Sequence, residues 1–297
     1  MKKVLVTGAY GYIGSHVCKL LHQHGYDVHA LDKAISTNDI SPYISRFICH
    51  DIREPYGDRT ALLDMHDKYD AVVHLASLIS VEDSMIHPIR YIENNVIGTK
   101  KILSNVFTDN VIFASTASAF NPVSTYAQTK LLGENLIRRY APNYTIFRFY
   151  NVAGSGGEFS QIGKATHLIR IAAEAAAGKR DIITINGSDW DTEDGTCERD
   201  YVHVVDLSHG ILKAIVKPSN KYYECTGTGT SYSVREVINV MREASKQFFK
   251  VEKGPRREGD VARIQLDSDQ ISDYLDCRHN LYDMCKSAYE AELRRVG

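Results

Sequence analysis

The chain has 297 residues, which is long enough for a large hydrophobic core and for two lobes. Its 35 basic and 37 acidic residues leave a formal net charge of -2, and this balance gives no reason to expect binding to nucleic acid or to an anionic membrane. The 6 cysteines are scattered, which suits a reducing compartment, and no stretch approaches the length of a membrane span. We therefore expect a soluble, cytoplasmic protein.

The N-terminal segment has the pattern of a β-α-β unit. Lys3–Thr7 is an apolar run that predicts a strand, residues 8–14 form a glycine-rich turn, and residues 15–24 predict an amphipathic helix. Glycines let the backbone approach a pyrophosphate, and the helix N-terminus supplies amide donors. Residues 26–32 predict the next strand, and Asp32 at its end can accept hydrogen bonds from a ribose diol. Its charge would repel a 2′-phosphate, so the sequence favours NAD over NADP.

The alternation of strands and helices continues through the first half of the chain. Continuous apolar strands that alternate with helices predict a Rossmann-type doubly wound parallel sheet covered on both faces. Further strands are predicted at residues 46–50, 71–76, 111–116 and 144–149, and helices at residues 61–68, 91–106 and 125–140. Ligands of such sheets bind beyond the carboxyl ends of the strands. The residues at or just past predicted strand ends are Gly8, Asp32, Asp51, Ser77, Thr116, Tyr150 and Asn151.

Shorter, mixed elements follow Asn151. Helices are predicted at residues 166–178, 207–216 and 233–245 and towards the C-terminus, and strands at residues 181–185 and 262–266. We therefore expect residues 1–153 to form the Rossmann domain and residues 154–297 to form mainly a smaller mixed α/β lobe, with later segments returning to the first domain.

A tyrosine and a lysine, Tyr126 and Lys130, lie four residues apart in a predicted helix and so share one face. A free tyrosine, with a pKa of ~10, is a poor base at neutral pH. A nearby lysine charge and a cationic cofactor ring would favour the phenolate and lower that pKa. Such a tyrosine can take a proton from a sugar hydroxyl while hydride leaves the carbon. Thr116, at the end of a predicted strand, can hydrogen-bond the reacting oxygen.

Together these motifs resemble the extended short-chain dehydrogenase/reductases and, more narrowly, the UDP-glucose 4-epimerases, over nearly the whole chain. The general motifs are residues 7–16 and the pair of Tyr126 and Lys130. The specific motifs are Asn94-Asn95-Val96 and residues 148–154, 194–206 and 255–260. Residues 194–206 would not arise from generic needs of the fold.

The resemblance implies a mechanism in which NAD stays tightly bound and is not consumed. Tyr126 removes the proton of the sugar 4-hydroxyl while the C4 hydride passes to the nicotinamide. Lys130 holds the nicotinamide ribose and keeps the phenolate available, and Thr116 bridges the substrate hydroxyl and the tyrosine. The 4-keto sugar turns over and takes hydride back on its other face. UDP-glucose and UDP-galactose are the implied substrates, with the N-acetylhexosamine pair as an open option.

The resemblance also implies contact residues in this chain. The implied NAD contacts are Gly8, Gly11, Tyr12, Ile13, Gly14, Asp32, Lys33, Asp51, Ile52, Leu75, Ala76, Ser77, Asn94, Tyr126, Lys130 and Tyr150. The implied contacts to the UDP-sugar are Thr116, Tyr126, Asn151, His167, Leu168, Arg199, Arg257 and Asp260. The two arginines are expected at the pyrophosphate, which suits their forked donors, Asp260 at the ribose, and His167 and Leu168 near the uracil. A homodimer through the helices at residues 91–106 and 125–140 is implied as well.

Several positions depart from the family pattern. The loop between Thr116 and Tyr126 is unusually short, Ile79 stands where many epimerases have a lysine, and Ser77 replaces a common glycine. In addition, Asn186 replaces a usual aromatic residue, and Ile264 leaves the choice between hexose and N-acetylhexosamine undecided. No spacing of histidine, cysteine and aspartate suggests a metal site.

Other functions remain open. Epimerases of UDP-glucuronate or of a UDP-pentose differ from this interpretation mainly in pocket residues. A nucleotide-sugar dehydratase or another NAD-dependent reductase is disfavoured, because a dehydratase needs an acid and a base where Ala117 and Ser118 follow Thr116. An NAD-sensing binding module is disfavoured because Tyr126 and Lys130 are both present.

Overall fold

The structure is a computed structural model that describes residues 1–54, 68–257 and 259–295. Most of the helix predicted at residues 61–68 therefore lies outside the described residues. The contacts divide the chain into two compact units. The first unit is Met1–Phe149 with Ser208–Cys225, and the second is Tyr150–Leu207 with Thr226–Gly297. The division falls just before Tyr150, and one later segment returns to the first unit.

The strands of the described residues alternate with helices through the first half of the chain. The strands are β1 (Lys3–Thr7), β2 (Asp27–Asp32), β3 (Arg46–Cys49), β4 (Lys68–Tyr69), β5 (Ala71–His74), β6 (Phe107–Thr108), β7 (Asn110–Thr116), β8 (Asn143–Phe149), β9 (Asn151–Ala153), β10 (Ile182–Asn186), β11 (Glu198–His203), β12 (Glu224–Thr226), β13 (Ser231–Ser233), β14 (Lys250–Gly254) and β15 (Arg263–Ile264). The helices are α1 (Tyr12–Gln23), α2 (Val81–Ile86), α3 (Pro88–Ile92), α4 (Gly98–Asn105), α5 (Thr125–Tyr140), α6 (Leu168–Ala176), α7 (Val204–Val216), α8 (Val234–Ser245) and α9 (Leu281–Arg294). A π-helical turn, Glu93–Ile97, joins α3 to α4, and a 3₁₀ turn, Ala117–Phe120, follows β7.

The first unit is built on a 7-stranded sheet in the order β12-β8-β7-β5-β1-β2-β3. The pairings between neighbouring strands from β8 to β3 are all parallel. Val4, Leu5 and Val6 of β1 are fully buried, as expected for a strand covered on both faces. The direction in which the chain winds reverses at β1, which pairs with β2 on one side and with β5 on the other. The predicted Rossmann-type sheet is confirmed, and its binding edge lies at the carboxyl end of β1.

Helix α5 lies directly against β7, because it carries a glycine where it crosses the strand. A Cβ atom on Gly133 would come within 2.6 Å of the Phe113 ring, so a larger residue would push the helix away. The helix begins at Thr125, and the side chain of Ser124 accepts a hydrogen bond from the amide of Ala127 as its N-cap. The predicted bounds of this helix are confirmed.

The second unit combines helices α6, α8 and α9 with short sheets. Its core includes Ile169, Val237, Met241 and Met284. Strand β10 pairs in parallel with β14, while β11 pairs with β9, β13 and β15. Strands β4, β6, β9, β11, β12, β13 and β14 are absent from the sequence prediction. All of them except β11 are short runs, which carry little periodicity. Within the described ranges, no helix is long and apolar enough to cross a membrane, and no cluster of His, Cys, Asp and Glu side chains could hold a metal ion.

Candidate active site

The glycine-rich turn follows β1 and is held tightly by the backbone. Gly8 has a positive φ of +69° and its amide donates to the Leu31 carbonyl at 2.9 Å. A Cβ atom on Gly14 would lie 2.2 Å from the Gly8 oxygen, so only glycine fits there. Helix α1 starts at Tyr12, and its N-cap, Gly11, has no side chain to occupy the amides of the first turn. The turn and the helix N-terminus therefore fit a pyrophosphate.

The carboxylate of Asp32 is fixed beside this turn. Its Oδ2 accepts a hydrogen bond from the amide of Tyr10 at 3.0 Å, and its Oδ1 accepts one from the amide of Lys33 at 2.8 Å. Burial raises the pKa of Asp32, and the backbone hydrogen bonds oppose that change. The Lys33 side chain lies exposed. The arrangement fits a ribose diol and disfavours a 2′-phosphate.

Asp51 and Ile52, beyond β3, are held by residues that the sequence did not indicate. Arg53 donates to both carboxylate oxygens of Asp51, with Nη2 2.7 Å from Oδ2, and these bonds lower the pKa of Asp51 to about 2. Ile52 is buried against Gly98, where a Cβ atom would come within 2.7 Å of the isoleucine side chain.

His74 orients the tip of β5. Its Nδ1 lies 2.7 Å from the Thr7 hydroxyl and its Nε2 lies 2.9 Å from the Thr99 hydroxyl. Burial lowers the pKa of His74 to about 3, so the ring is neutral at physiological pH. The Thr7 hydroxyl also accepts the amide of Ala76 at 3.2 Å. Leu75 and Ala76 are thereby fixed beside the glycine turn, where a Cβ atom on Gly8 would meet the Ala76 amide at 2.8 Å.

Asn95 is a structural residue of the site that the sequence marked only as part of a family motif. Its Oδ1 accepts the Ser77 hydroxyl at 3.0 Å and the Leu78 amide at 2.9 Å, and its Nδ2 donates to Thr129 on α5 at 3.1 Å. Asn94 and Asn95 are both buried, since the π-helical turn directs successive residues inward. Such turns are frequent at functional sites. Asn95 therefore links the loop after β5 to the helix of Tyr126.

Thr116 and Tyr126 are brought into hydrogen-bonding contact. The Thr116 hydroxyl accepts the amide of Ser118 at 3.2 Å, and the side chain of Thr116 hydrogen-bonds the half-buried phenol of Tyr126. Because this bond lowers the pKa of Tyr126, the threonine acts as its donor. The amide of Tyr126 donates to the buried Ser84 hydroxyl at 3.1 Å, which fixes the start of α5. The sequence did not indicate Ser84.

The expectation that the Lys130 charge lowers the pKa of Tyr126 is wrong when only the side chains of the protein are considered. Burial raises the pKa of Tyr126 to about 12, against the smaller opposing effect of Thr116. Lys130 is buried as well, and burial lowers its own pKa to about 7, so the amine is only partly charged near neutral pH. Its Nζ donates to the Ala114 carbonyl at 2.8 Å.

In the second unit, two of the predicted substrate residues contact each other. Nη2 of Arg199 lies 3.1 Å from Oδ1 of Asp260, while its Nη1 donates to the carbonyls of Glu198 and Val261. Asn151 on β9 donates to the Asp200 carbonyl on the paired strand β11 at 2.9 Å.

The remaining predicted site residues of this unit, including the predicted NAD contact Tyr150, differ in exposure. Arg257 and His167 are exposed, and Leu168 and Tyr150 are half-buried. Arg256 pairs with Asp189 at 2.9 Å on the protein surface.

The structure therefore gathers two groups of predicted residues, one in each unit. In the first unit, the end of β7 brings together Thr116, Tyr126 and Lys130. Most of the other predicted cofactor residues lie at or just past the ends of β1, β2, β3 and β5. Asn94 lies on the π-helical turn. The exception is Tyr150, which belongs to the second unit with Asn151, His167, Leu168, Arg199, Arg257 and Asp260.

Comparison with known proteins gives consistent results. The pattern of the NAD dependent epimerase/dehydratase family matches residues 4–225. A UDP-glucose 4-epimerase from Rhizobium leguminosarum bv. trifolii is 32% identical, over 97% of this chain and 96% of its own length. The solved UDP-Glc/GlcNAc 4-epimerase from Campylobacter jejuni is 31% identical with a TM-score of 0.79, covering 99% of this chain and 100% of its own.

A second solved structure is a UDP-glucose 4-epimerase from Stenotrophomonas maltophila with bound NAD and formylated UDP-arabinopyranose. It is 28% identical to this chain, has a TM-score of 0.86 and covers 98% of each chain.

Proposed function

We propose, on the premise that the chain belongs to the NAD dependent epimerase/dehydratase family, that it interconverts UDP-glucose and UDP-galactose through a transient 4-keto sugar. The observation that carries this proposal is the placement of Thr116, at the carboxyl end of β7, beside Tyr126 on α5. Lys130 lies one helical turn further along, and the glycine turn lies at the end of β1 in the same sheet.

The family is NAD-dependent, and the first unit fits that cofactor. The glycine turn and the α1 N-terminus would hold the pyrophosphate, and Asp32 the adenosine ribose. Leu75, Ala76 and Asn94 would lie along the dinucleotide. When bound, NAD supplies an acceptor for the C4 hydride and a positive ring charge that favours the Tyr126 phenolate. Neither Ser77 nor Ile79 carries a charge that could attract the cofactor. The fixed backbone of the glycine-rich turn would therefore provide most of the interactions that bind NAD.

The chain's own residues would move one proton. Tyr126 as phenolate takes the proton of the sugar 4-hydroxyl and later returns it to the 4-keto oxygen. Thr116 donates to the phenol oxygen and so stabilises its charged form. Lys130 in its ammonium form would hold a ribose hydroxyl of the cofactor and add positive charge on the same helix face.

An epimerase also needs a firm grip on the nucleotide and a loose grip on the sugar, because the keto sugar must turn over. Arg199 and Arg257 would hold the pyrophosphate and Asp260 the uridine ribose. Asn151 would lie beside the sugar, and His167 and Leu168 beside the base. Since Ala117 and Ser118 follow Thr116, the turn offers no acid or base to eliminate water, and epimerisation is favoured over dehydration.

Product analysis tests the function directly. Purified protein is incubated separately with UDP-glucose, UDP-N-acetylglucosamine, UDP-glucuronate and UDP-xylose, and the products are separated by chromatography while absorbance at the NADH band is followed. We expect the 4-epimer of UDP-glucose without net NADH. Tyr126→Phe should abolish turnover and keep NAD binding, whereas Tyr140→Phe, at the exposed end of the same helix, should be active. Accumulating NADH, or NAD binding without any turnover, would contradict an epimerase.

A UDP-pentose is the second candidate substrate. The neighbour from Stenotrophomonas maltophila was solved with formylated UDP-arabinopyranose, so the related fold admits a pentose nucleotide. The UDP-xylose incubation decides this point: conversion of UDP-xylose faster than UDP-glucose would favour the pentose.

We also propose a homodimer that forms through the helical segments at residues 91–106 and 125–140, which contain the end of α3, all of α4 and α5. Exposed apolar side chains lie on these helices or on the turn that joins them: Ile89, Ile92, Ile97 and Leu132. Contiguous exposed apolar surface typically marks a protein interface. Ile89→Lys should convert the dimer to a monomer in sedimentation equilibrium. Val216→Lys, which changes an equally exposed apolar residue on α7, should not. A wild-type protein that sediments as a monomer would remove this proposal.

A cytoplasmic location is proposed as well. All 6 cysteines are free thiols, 4 of them buried, which suits a reducing compartment. Fractionation with an antibody against the chain would test it, and recovery in a secreted fraction would contradict it.

A further inference from the structure

A buried carboxylate ties the helix of Lys130 to the strand of Thr116. Glu134, one turn after Lys130, has no solvent exposure. Its Oε1 accepts the Ser115 hydroxyl at 2.6 Å and Nε of Arg148 at 2.8 Å, and its Oε2 accepts Nη2 of Arg148 at 2.8 Å. Ser115 directly precedes Thr116. The carboxylate thus fixes α5 against the last residues of β7.

The guanidinium of Arg148 extends this link to the short turn after Thr116. It lies 4.5 Å from the centroid of the Phe120 ring and 4.0 Å from that of Tyr223. The two rings meet edge to face, with centroids 5.2 Å apart. Phe120 ends the turn Ala117–Phe120, so the arginine holds the turn at the end opposite to Thr116.

We propose that Glu134, Arg148 and Phe120 are positioning residues that hold Thr116, Tyr126 and Lys130 in the arrangement needed for proton transfer. This inference rests on the proposed function and assigns a role to residues outside the contacts given above. Burying an ion pair adds little stability by itself, because removing both charges from water is costly. The link joins β8 and the short turn to β7 and α5, the two elements that carry Thr116, Tyr126 and Lys130.

Glu134 also sets the charge of Lys130. The titratable or charged groups that interact with Lys130 are Glu134 on its own helix and His74 on β5, and Glu134 is itself paired with both Arg148 and Arg138. His74 is neutral, so Glu134 is the negative charge that opposes the effect of burial on the pKa of Lys130. A lysine with a lower pKa would lose its ammonium form at neutral pH.

The first test uses Phe120, which is 44% exposed and can be replaced without opening the core. Phe120→Leu removes the ring over Arg148 and should lower kcat by about tenfold, because small displacements of reacting groups are costly. The KM for the UDP-sugar and the affinity for NAD should stay within about twofold. Phe120→Tyr keeps the ring, so its kcat should equal that of the wild type. Phe248→Leu, which removes an exposed ring 4.7 Å from Arg242, is the matched control and should leave kcat unchanged.

The second test uses Glu134→Gln, which keeps the shape and removes the charge. In protein labelled with ¹³C-lysine, the NMR titration midpoint of Lys130 should move to lower pH, and the alkaline limb of the kcat profile should move with it. Glu292→Gln, which removes the charge of another buried glutamate paired with an arginine, should leave both unchanged. If Glu134→Gln does not fold, the Phe120 variants decide the inference.

The outcomes separate this inference from the proposed function. A wild-type protein that makes no epimer refutes the proposed function, while the Lys130 titration still decides the effect of Glu134. The inference alone is refuted if the wild type is an epimerase and Phe120→Leu keeps its kcat. It is also refuted if Glu134→Gln leaves the titration midpoint of Lys130 unchanged.

Discussion

Thr116→Val should slow turnover by removing a hydroxyl that donates to the Tyr126 phenol. Valine has nearly the shape of threonine, so the buried end of β7 keeps its packing. A hydrogen bond to a charged group contributes about 1.5–3 kcal/mol. If it forms fully only with the phenolate, its loss lowers kcat by roughly 10- to 150-fold, since ~1.4 kcal/mol corresponds to a factor of ten.

The pH profile gives the sign of the effect. The reaction needs the phenolate, so kcat rises as pH increases through the pKa of Tyr126. The Thr116 hydroxyl lowers that pKa against the effect of burial. Thr116→Val must therefore move the acid limb of the profile to higher pH, and Thr116→Ser, which keeps the hydroxyl, must move it little.

The assay is steady-state epimerisation from pH 5.5 to 10, with NAD affinity measured by fluorescence. Thr145→Val is the matched control, because it removes another fully buried strand hydroxyl, one that accepts the amide of Ser219 at 3.0 Å. Equal rates for Thr116→Val and the wild type, or an unshifted acid limb, would refute the reasoning. Equal losses for Thr116→Val and Thr116→Ser would point to packing in place of proton transfer.

Three further predictions follow from the cofactor side of the first unit. Gly14→Ala places a methyl group against the Gly8 carbonyl, so it should lower the free energy of unfolding by about 1–3 kcal/mol, measured by denaturant titration, and weaken NAD binding. Asp32→Ala removes a repulsion of about 1–4 kcal/mol between the Asp32 carboxylate and the 2′-phosphate of NADP, so the ratio of the affinities for NAD and NADP should fall in fluorescence titrations. An unchanged ratio would mean that the 2′-hydroxyl of NAD does not bind at Asp32. Arg53→Gln should lower stability at neutral pH by less than about 1 kcal/mol. The loss should vanish as pH falls from the ordinary pKa of Asp51, 3.8, towards about 2, and a pH-independent difference in melting temperature would exclude the ion pair as its cause.

Much of the fold was predictable because its signals are local. The apolar run of β1, the glycines after it and the helix of α1 lie within one short stretch, and each constrains the backbone of that stretch alone. Helix α5 was predicted with its bounds, since Ser124 caps it and its apolar positions repeat with the helical period. Asp32 was predicted at a strand end, because the length of the apolar run determines where the strand ends.

The residues that support the site could not be found in this way, since their partners are distant in the chain. Asn95 bonds to Ser77 and Thr129, and Arg148 stacks on Tyr223, with nothing in the local pattern to pair them. The nearest available signal was the helical spacing that puts Glu134 on the face of Lys130.

The sequence by itself determined the alternation of the main strands and helices in the first half of the chain, the glycine turn and the residue types at the strand ends, because these depend on periodicity and on backbone sterics. Only the tertiary structure decided which way the pKa of Tyr126 moves. Desolvation depends on everything packed around the phenol, and here burial outweighs the hydrogen bond from Thr116. The same burial makes the charge of Lys130 depend on Glu134, which packing alone places beside Arg148.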